Sequence, residues 1–267
     1  MKLLGVKEIN LFVLECNRRI DAVSLLCYLK NPMIKDNVLK CQEQIKEACR
    51  CAGRDPQEVI LVAVTKYAPL EAIQEAIDSG ICHIAENRVQ EAEKKFPNLL
   101  AQNPQVCRHI IGHLQTNKAK DAMKVCSLIQ SVDSFKLANE IEKHSAKAEK
   151  TVDILVQFNT AAEEQKFGAD PKEALSLIES LSHLSHVSIK GLMCMAPYTE
   201  DQGVIRKAFA DLRGIRDNIR QRFAGHSRVE TGILSMGMSG DYKIAIEEGS
   251  TMVRVGSAIF KEVMQNA

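Results

Sequence analysis

Val59-Ile60-Leu61-Val62-Ala63-Val64-Thr65-Lys66-Tyr67-Ala68-Pro69 is the stretch on which the fold turns. Its first six residues are all aliphatic, mostly β-branched, and show no polar alternation. A short run of that kind reads as a strand covered on both faces of a parallel sheet. Upstream, Val38, Leu39, Ile45 and Ala48 recur at helical spacing, and Gly53 and Pro56 close an opening helix over 36–51. Downstream the pattern alternates. Strands are predicted at 83–85, 108–111, 128–132, 154–158, 187–193, 230–235 and 252–255, with helical segments at 69–79, 88–95, 118–124, 134–148, 171–181, 202–222 and 241–248 between them. With 59–64 that makes eight strands in strict β/α alternation. Parallel strands with right-handed crossovers follow, and at 267 residues closure into a single (β/α)8 barrel with an additional N-terminal helix is expected over an open doubly wound sheet.

The expected domain layout is an N-terminal extension, 1–32, of no assigned role, followed by one barrel domain, 33–267. The apolar runs Leu11-Phe12-Val13-Leu14 and 23–29 are both too short to span a bilayer, no clear cleavage site follows them, and Met33 is an alternative start. A formal net charge of +1 with scattered basic residues argues against nucleic acid, and no membrane association is expected. Nine cysteines without C-x-x-C spacing read as reduced thiols of a cytoplasmic protein. A monomer is expected.

In a barrel of this type, binding groups gather where strands end, and phosphate is commonly held by the loops after strands 7 and 8. Lys66 ends the first strand. Partial desolvation there would favour its free amine, a nucleophile for aldehydes, although a strand-end lysine can equally reach out to water. In Ser235-Met236-Gly237-Met238-Ser239-Gly240-Asp241, a strand passes through a glycine-containing turn into a helix near Asp241. Backbone N–H groups with Ser235 and Ser239 would there hold phosphate, or Ser239 would serve as the helix N-cap. Gly249-Ser250-Thr251-Met252-Val253-Arg254-Val255-Gly256-Ser257 places Arg254 on the last strand. Its guanidinium needs an acceptor, whether an aromatic nitrogen, a phosphate or a structural carboxylate. Gly256 and Ser257 behind it suit a phosphate. Together these features fit a phosphorylated aldehyde.

Several longer stretches share one resemblance. Ala63-Val64-Thr65-Lys66, Glu86-Asn87-Arg88-Val89-Gln90-Glu91, the run from Ile110 to Lys118 containing Gly112-His113-Leu114-Gln115, Leu234 to Ser239, and Gly249 to Phe260 resemble the pyridoxal phosphate homeostasis protein family, similar in fold to the N-terminal barrel of alanine racemases. The resemblance runs from about Met33 to Phe260. It implies pyridoxal 5′-phosphate held as a Schiff base on Lys66, with Arg254 facing the pyridine nitrogen. It also implies a phosphate cup of Ser235, Met236, Gly237, Ser239, Gly256 and Ser257, and Asn87 as a pocket residue. Gln165-Lys166-Phe167-Gly168 resembles the family's lysine-x-glycine after strand 5, which would make Lys166 a secondary group near the mouth, with a solvated loop lysine the favoured reading. Ala85, where the family often has glycine, and Lys261-Glu262 depart from the family's pattern without touching the proposed cofactor.

The resemblance further implies a non-catalytic buffer or carrier in vitamin B6 homeostasis, with apo forms of pyridoxal phosphate enzymes as partners. An amino-acid racemase would need a second base, which in alanine racemases resembles a tyrosine from a C-terminal β-domain, and with the chain stopping at Ala267 no such domain is expected. A Schiff-base aldolase would use the same lysine and phosphate cup but hold no chromophore. An Arg254 guanidinium facing the pyridine nitrogen donates hydrogen bonds without giving up a proton, which disfavours transaminase-like chemistry. His109 and His113 are expected to be structural; Tyr67 and Tyr198 are left without a role. No metal site is expected.

Overall fold

The computed structural model describes residues 34–161 and 167–264; the predicted extension over 1–32 and Lys166 lie outside them. The chain opens with α1 (Ile34–Cys51) and continues β1 (Ile60–Val64), α2 (Leu70–Asp78), β2 (His83–Glu86), α3 (Val89–Gln102), β3 (Cys107–Ile110), α4 (Ala119–Val125), β4 (Leu128–Val132) and α5 (Phe135–Lys147). The second half runs β5 (Val152–Gln157), α6 (Ala174–Ser182), β6 (Val187–Met193), α7 (Gln202–Arg222), β7 (Val229–Met238), α8 (Tyr242–Glu247), β8 (Met252–Val255) and α9 (Ser257–Phe260). The eight strands form a closed barrel in sequence order, all pairs parallel. Closure pairs Val62 with Arg254 and Ala63 with Val255, so the expected eightfold barrel is borne out.

Strand side chains alternate between faces, and the apolar core divides accordingly. Outward residues such as Ala63, Ile84, Ile110, Ile129 and Val253 merge with the inner faces of the helices into one large cluster. Inside the barrel the apolar set is small: Val62, Ala85, Leu128, Leu155, Met193 and Met252. Polar residues occupy the remaining interior positions. His109, Gln130, Gln157, Ser235 and Arg254 are all buried.

Among the boundaries that differ from the reading of the sequence, two bear on the site. α3 does not stop at Lys95 but runs through Pro97 to Gln102. Proline inside a helix costs about 3 kcal/mol, yet Phe96 and Leu99 on either side are buried, and each such side chain contributes roughly 1.5–3 kcal/mol. Burial therefore outweighs the lost hydrogen bond. β7 does not end at Ser235 but continues to Met238, which changes the job of the glycine inside it.

Candidate functional site at the carboxyl ends of the strands

The β1–β2 edge is held by a part-buried ion pair between Lys95 and the buried Glu86. Thr65 Oγ1, fully buried, donates to Glu86 Oε1 at 2.7 Å and lies 3.0 Å from the Ala85 carbonyl. From α3, Lys95 Nζ donates to the same Glu86 oxygen at 2.7 Å and to the Thr65 carbonyl at 2.8 Å. Both strand ends are thus tied together immediately before Lys66 and Asn87. Asn87 follows β2 and is exposed. The loop after β3 crosses it so closely that a Cβ on Gly112 would sit 2.2 Å from the Asn87 carbonyl oxygen, so only glycine fits there.

Lys66 itself is exposed. The expected desolvation is therefore not supplied by the protein: β1 ends at Val64, Thr65 is the last buried residue after it, and Lys66 stands one residue further out. Its Nζ lies 5.9 Å from the Tyr67 ring centroid, and Tyr67 has φ 64°, a left-handed conformation costing a non-glycine residue about 1–3 kcal/mol. That kink turns the chain sharply after Lys66.

At the β7–β8 edge, Met236 is buried and Gly237 adopts φ 95° inside the strand. A Cβ there would meet Ala245 Cβ at 2.6 Å and Tyr242 Cα at 2.8 Å. Gly237 thus admits α8 against β7, whereas the sequence suggested a turn. Ser239 is not the N-cap of α8; Asp241 holds that position and accepts from the Met238 N–H. Ser239 instead joins two loops, its Oγ accepting from Gly256 N at 3.2 Å and Ala258 N at 3.4 Å. That leaves its own proton to donate. Ser257 is exposed, and the backbone N–H groups of Ser239, Gly240 and Ser257 have no acceptor among the described residues. Unpaired N–H groups on two adjoining loops suit an anion. Across the barrel seam, a Cβ on Gly256 would lie 3.3 Å from Val64, so the loop after β8 touches the strand that leads to Lys66.

Arg254 is 2% exposed. It donates to Ser235 Oγ at 2.7 Å and to the Cys194 carbonyl at 2.9 Å, and no carboxylate lies within ion-pair distance of it among the described residues. The structural-carboxylate alternative is thereby removed. Burial lowers its pKa from the ordinary value, but a guanidinium stays charged. Ser235 is fully buried and spends its own proton on Gln130 Oε1 at 2.6 Å. Its hydroxyl is thus occupied inside the barrel, and of the two serines first read as phosphate donors in this stretch only Ser239 keeps one.

The other candidates are dispersed. His113 stacks on Phe167 with centroids 3.9 Å apart and an interplanar angle of 12°, and lies 3.6 Å from Asp133. His109 is buried between Gln130 and His83. Tyr198 is fully exposed. The seven described cysteines are free thiols. No metal-binding cluster and no helix long and apolar enough to cross a membrane occurs among the described residues. Gln130, Glu86 and Lys95 were missed as site-supporting residues; a polar residue in the middle of an aliphatic strand, as in Leu128-Ile129-Gln130, was the available signal for the first.

A closed barrel with these groups at its strand ends has known relatives. The alanine racemase N-terminal domain family matches residues 39–263, which gives the class of the fold. The pyridoxal phosphate homeostasis protein of Aquifex aeolicus is 39% identical over 220 residues, covering 82% of this chain and 94% of its own. That of Pasteurella multocida is 34% identical over 227 residues, 85% of this chain and 96% of its own. The chain belongs to the pyridoxal phosphate homeostasis protein family. Among solved structures, PipY of Synechococcus elongatus with pyridoxal phosphate bound superposes with a TM-score of 0.70 at 33% identity, over 81% of this chain and 99% of PipY. An alanine racemase of Clostridium difficile shares the fold alone, with a TM-score of 0.67 at 16% identity over 84% of this chain and 56% of the racemase.

Proposed function

We propose that this chain holds pyridoxal 5′-phosphate as a Schiff base on Lys66 and serves pyridoxal phosphate homeostasis as a cytoplasmic buffer or carrier, without being an enzyme. One observation carries the reading. Barrel closure brings the Gly256 loop against Val64, two residues before Lys66, so a primary amine and a cluster of unpaired N–H groups share one edge of the carboxyl face. An aldehyde that also carries a phosphate satisfies both.

The residues fit the group by their donor chemistry. Lys66 supplies the amine, Asn87 lines the adjoining edge, and Ser239, Ser257 and the loop N–H groups, with Gly237 and Gly256 giving room, receive the phosphate. Met236 and Ser235 support this cup from the barrel interior. When bound, pyridoxal phosphate supplies a reactive aldehyde and, once its ring nitrogen is protonated, an electron sink. Arg254 can donate to that nitrogen but does not yield a proton to it. The chain thereby retains the cofactor without switching on its chemistry. Exposure of Lys66 suits release, because water or an incoming amine reaches the linkage directly, and apo forms of pyridoxal phosphate enzymes are the recipients this reading implies.

The visible spectrum of the protein purified without added cofactor, before and after borohydride reduction, tests the proposal when followed by peptide mapping. A yellow protein whose reduced label maps to Lys66 is expected. A colourless protein that also fails to take up added pyridoxal phosphate overturns the reading and favours a Schiff-base aldolase. Incubation with L-alanine is expected to give no measurable racemisation; robust turnover would restore the racemase alternative.

A further inference from the structure

Behind Arg254 and Ser235, hydrogen bonds continue through the barrel interior. Gln130 Nε2 lies 2.8 Å from His109 Nδ1, and His109 Nε2 lies 3.0 Å from His83 Nδ1. Gln130 Nε2 also donates to Met252 Sδ at 3.2 Å. His83 lines a cavity of ≈ 340 Å³ with Gln42, Lys46 and Gln57 beside the first residues of β1 and β2. The chain of polar groups therefore runs from the carboxyl face toward the opposite end of the barrel.

Donor counting sets its direction. A guanidinium has no acceptor, so Ser235 Oγ accepts from Arg254 and gives its proton to Gln130 Oε1. Gln130 then offers its amide N–H to His109, whose Nδ1 must be bare and whose Nε2 must carry the proton. That proton is donated to a bare Nδ1 on His83, and both rings are neutral. Their burial agrees: desolvation, then the neighbouring His83, pushes His109 down to about 3, and desolvation also lowers His83. Each group presents its electronegative end toward Arg254. The aligned dipoles add at a buried guanidinium that has no carboxylate in ion-pair reach among the described residues, and bonds in such a chain polarise one another.

We infer that Gln130 and His109 are positioning residues that act through Ser235, fixing it and hence Arg254 in one orientation and leaving the remaining guanidinium N–H groups for the ligand. The ligand half of this inference rests on the proposed binding of pyridoxal phosphate; the polarity of the chain stands apart from it.

The test has two arms. Long-range nitrogen–proton NMR on the uniformly ¹⁵N-labelled protein at pH 7 is expected to show His109 as the Nε2–H tautomer; an Nδ1–H tautomer or a protonated ring overturns the inference, and no variant is needed. In the second arm pyridoxal 5′-phosphate is titrated into Gln130→Met. The expected result is affinity lowered about tenfold, one charge-assisted hydrogen bond misplaced, with an altered pH titration of the bound visible band and the borohydride label still on Lys66. Leu155→Met, a change inside the apolar interior set, serves as the control and moves neither. Unchanged affinity and an unchanged band in Gln130→Met overturn the inference. If the unmodified protein takes up no pyridoxal phosphate, the parent reading fails instead, and the tautomer decides the chain of hydrogen bonds alone.

Discussion

The two edges of the carboxyl face are built on opposite terms. At β1–β2 the candidate groups Lys66 and Asn87 are exposed, and next to them lies a part-buried ion pair, Glu86 with Lys95, locked onto Thr65. At β7–β8 the cation itself is buried, with no carboxylate at ion-pair distance among the described residues, and is steadied by hydrogen bonds to the Ser235 hydroxyl and the Cys194 carbonyl. A lysine that must form and release a covalent bond needs access to water and incoming amines. An arginine that only donates gains strength and direction from a dry, fixed setting. On the proposed reading, exchange belongs to the first edge and retention to the second.

Breaking the first edge at its amine has the largest expected effect. Lys66→Ala removes the borohydride-trapped label completely, yet because Lys66 is exposed the urea midpoint should barely move, by less than about 0.5 kcal/mol. A variant that still traps pyridoxal phosphate would defeat the assignment. Below it, Glu86→Gln keeps the shape but leaves Lys95 at 14% side-chain exposure without its anion. Breaking such a pair costs about 3–5 kcal/mol, measurable by urea unfolding, and a loss under 1 kcal/mol would show that the pair is not what holds the edge.

On the second edge, Gly237→Ala introduces a Cβ 2.6 Å from Ala245 Cβ at a residue with φ 95°. Backbone strain and overpacking together cost about 2–3 kcal/mol; a neutral change would mean that α8 shifts freely and does not fix the loop. The smallest effect concerns pH. His109 and His83 have folded pKa values below the ordinary 6.5, so their contribution is complete above pH 6.5 and is lost as pH falls toward the folded values. Between pH 6.5 and 5.5 stability should drop by about 1 kcal/mol, a window above that of the lowered carboxylates such as Glu142. Equal stability at the two pH values would contradict the neutral chain.

Much of this was legible beforehand. The aliphatic run ending at Val64 and the strict alternation after it announced the barrel, and the positions of Lys66, Arg254 and Gly256 on or just after strands followed from the period of the pattern, whereas Asn87 was singled out only by the family resemblance. What was not legible was each group's surroundings. Lys66 was expected to be partly desolvated, but β1 ends at Val64, two residues before it, and leaves it exposed. Ser235 was read as a phosphate donor, but its partner Gln130 is 105 residues away. The helix was read only to Lys95 because local pattern could not show that Phe96 and Leu99 are buried.

Sequence alone determined which residues could serve: an amine, a guanidinium and glycines with serines, placed at strand ends by hydrophobic period and turn chemistry, both short-range properties. Only the tertiary structure decided how they serve. Closure of β8 onto β1 sets Gly256 against Val64, and the inner face of the barrel gathers Arg254, Ser235, Gln130, His109 and His83 from five strands. Hydrogen-bond direction and desolvation depend on these long-range neighbours, which no local pattern contains.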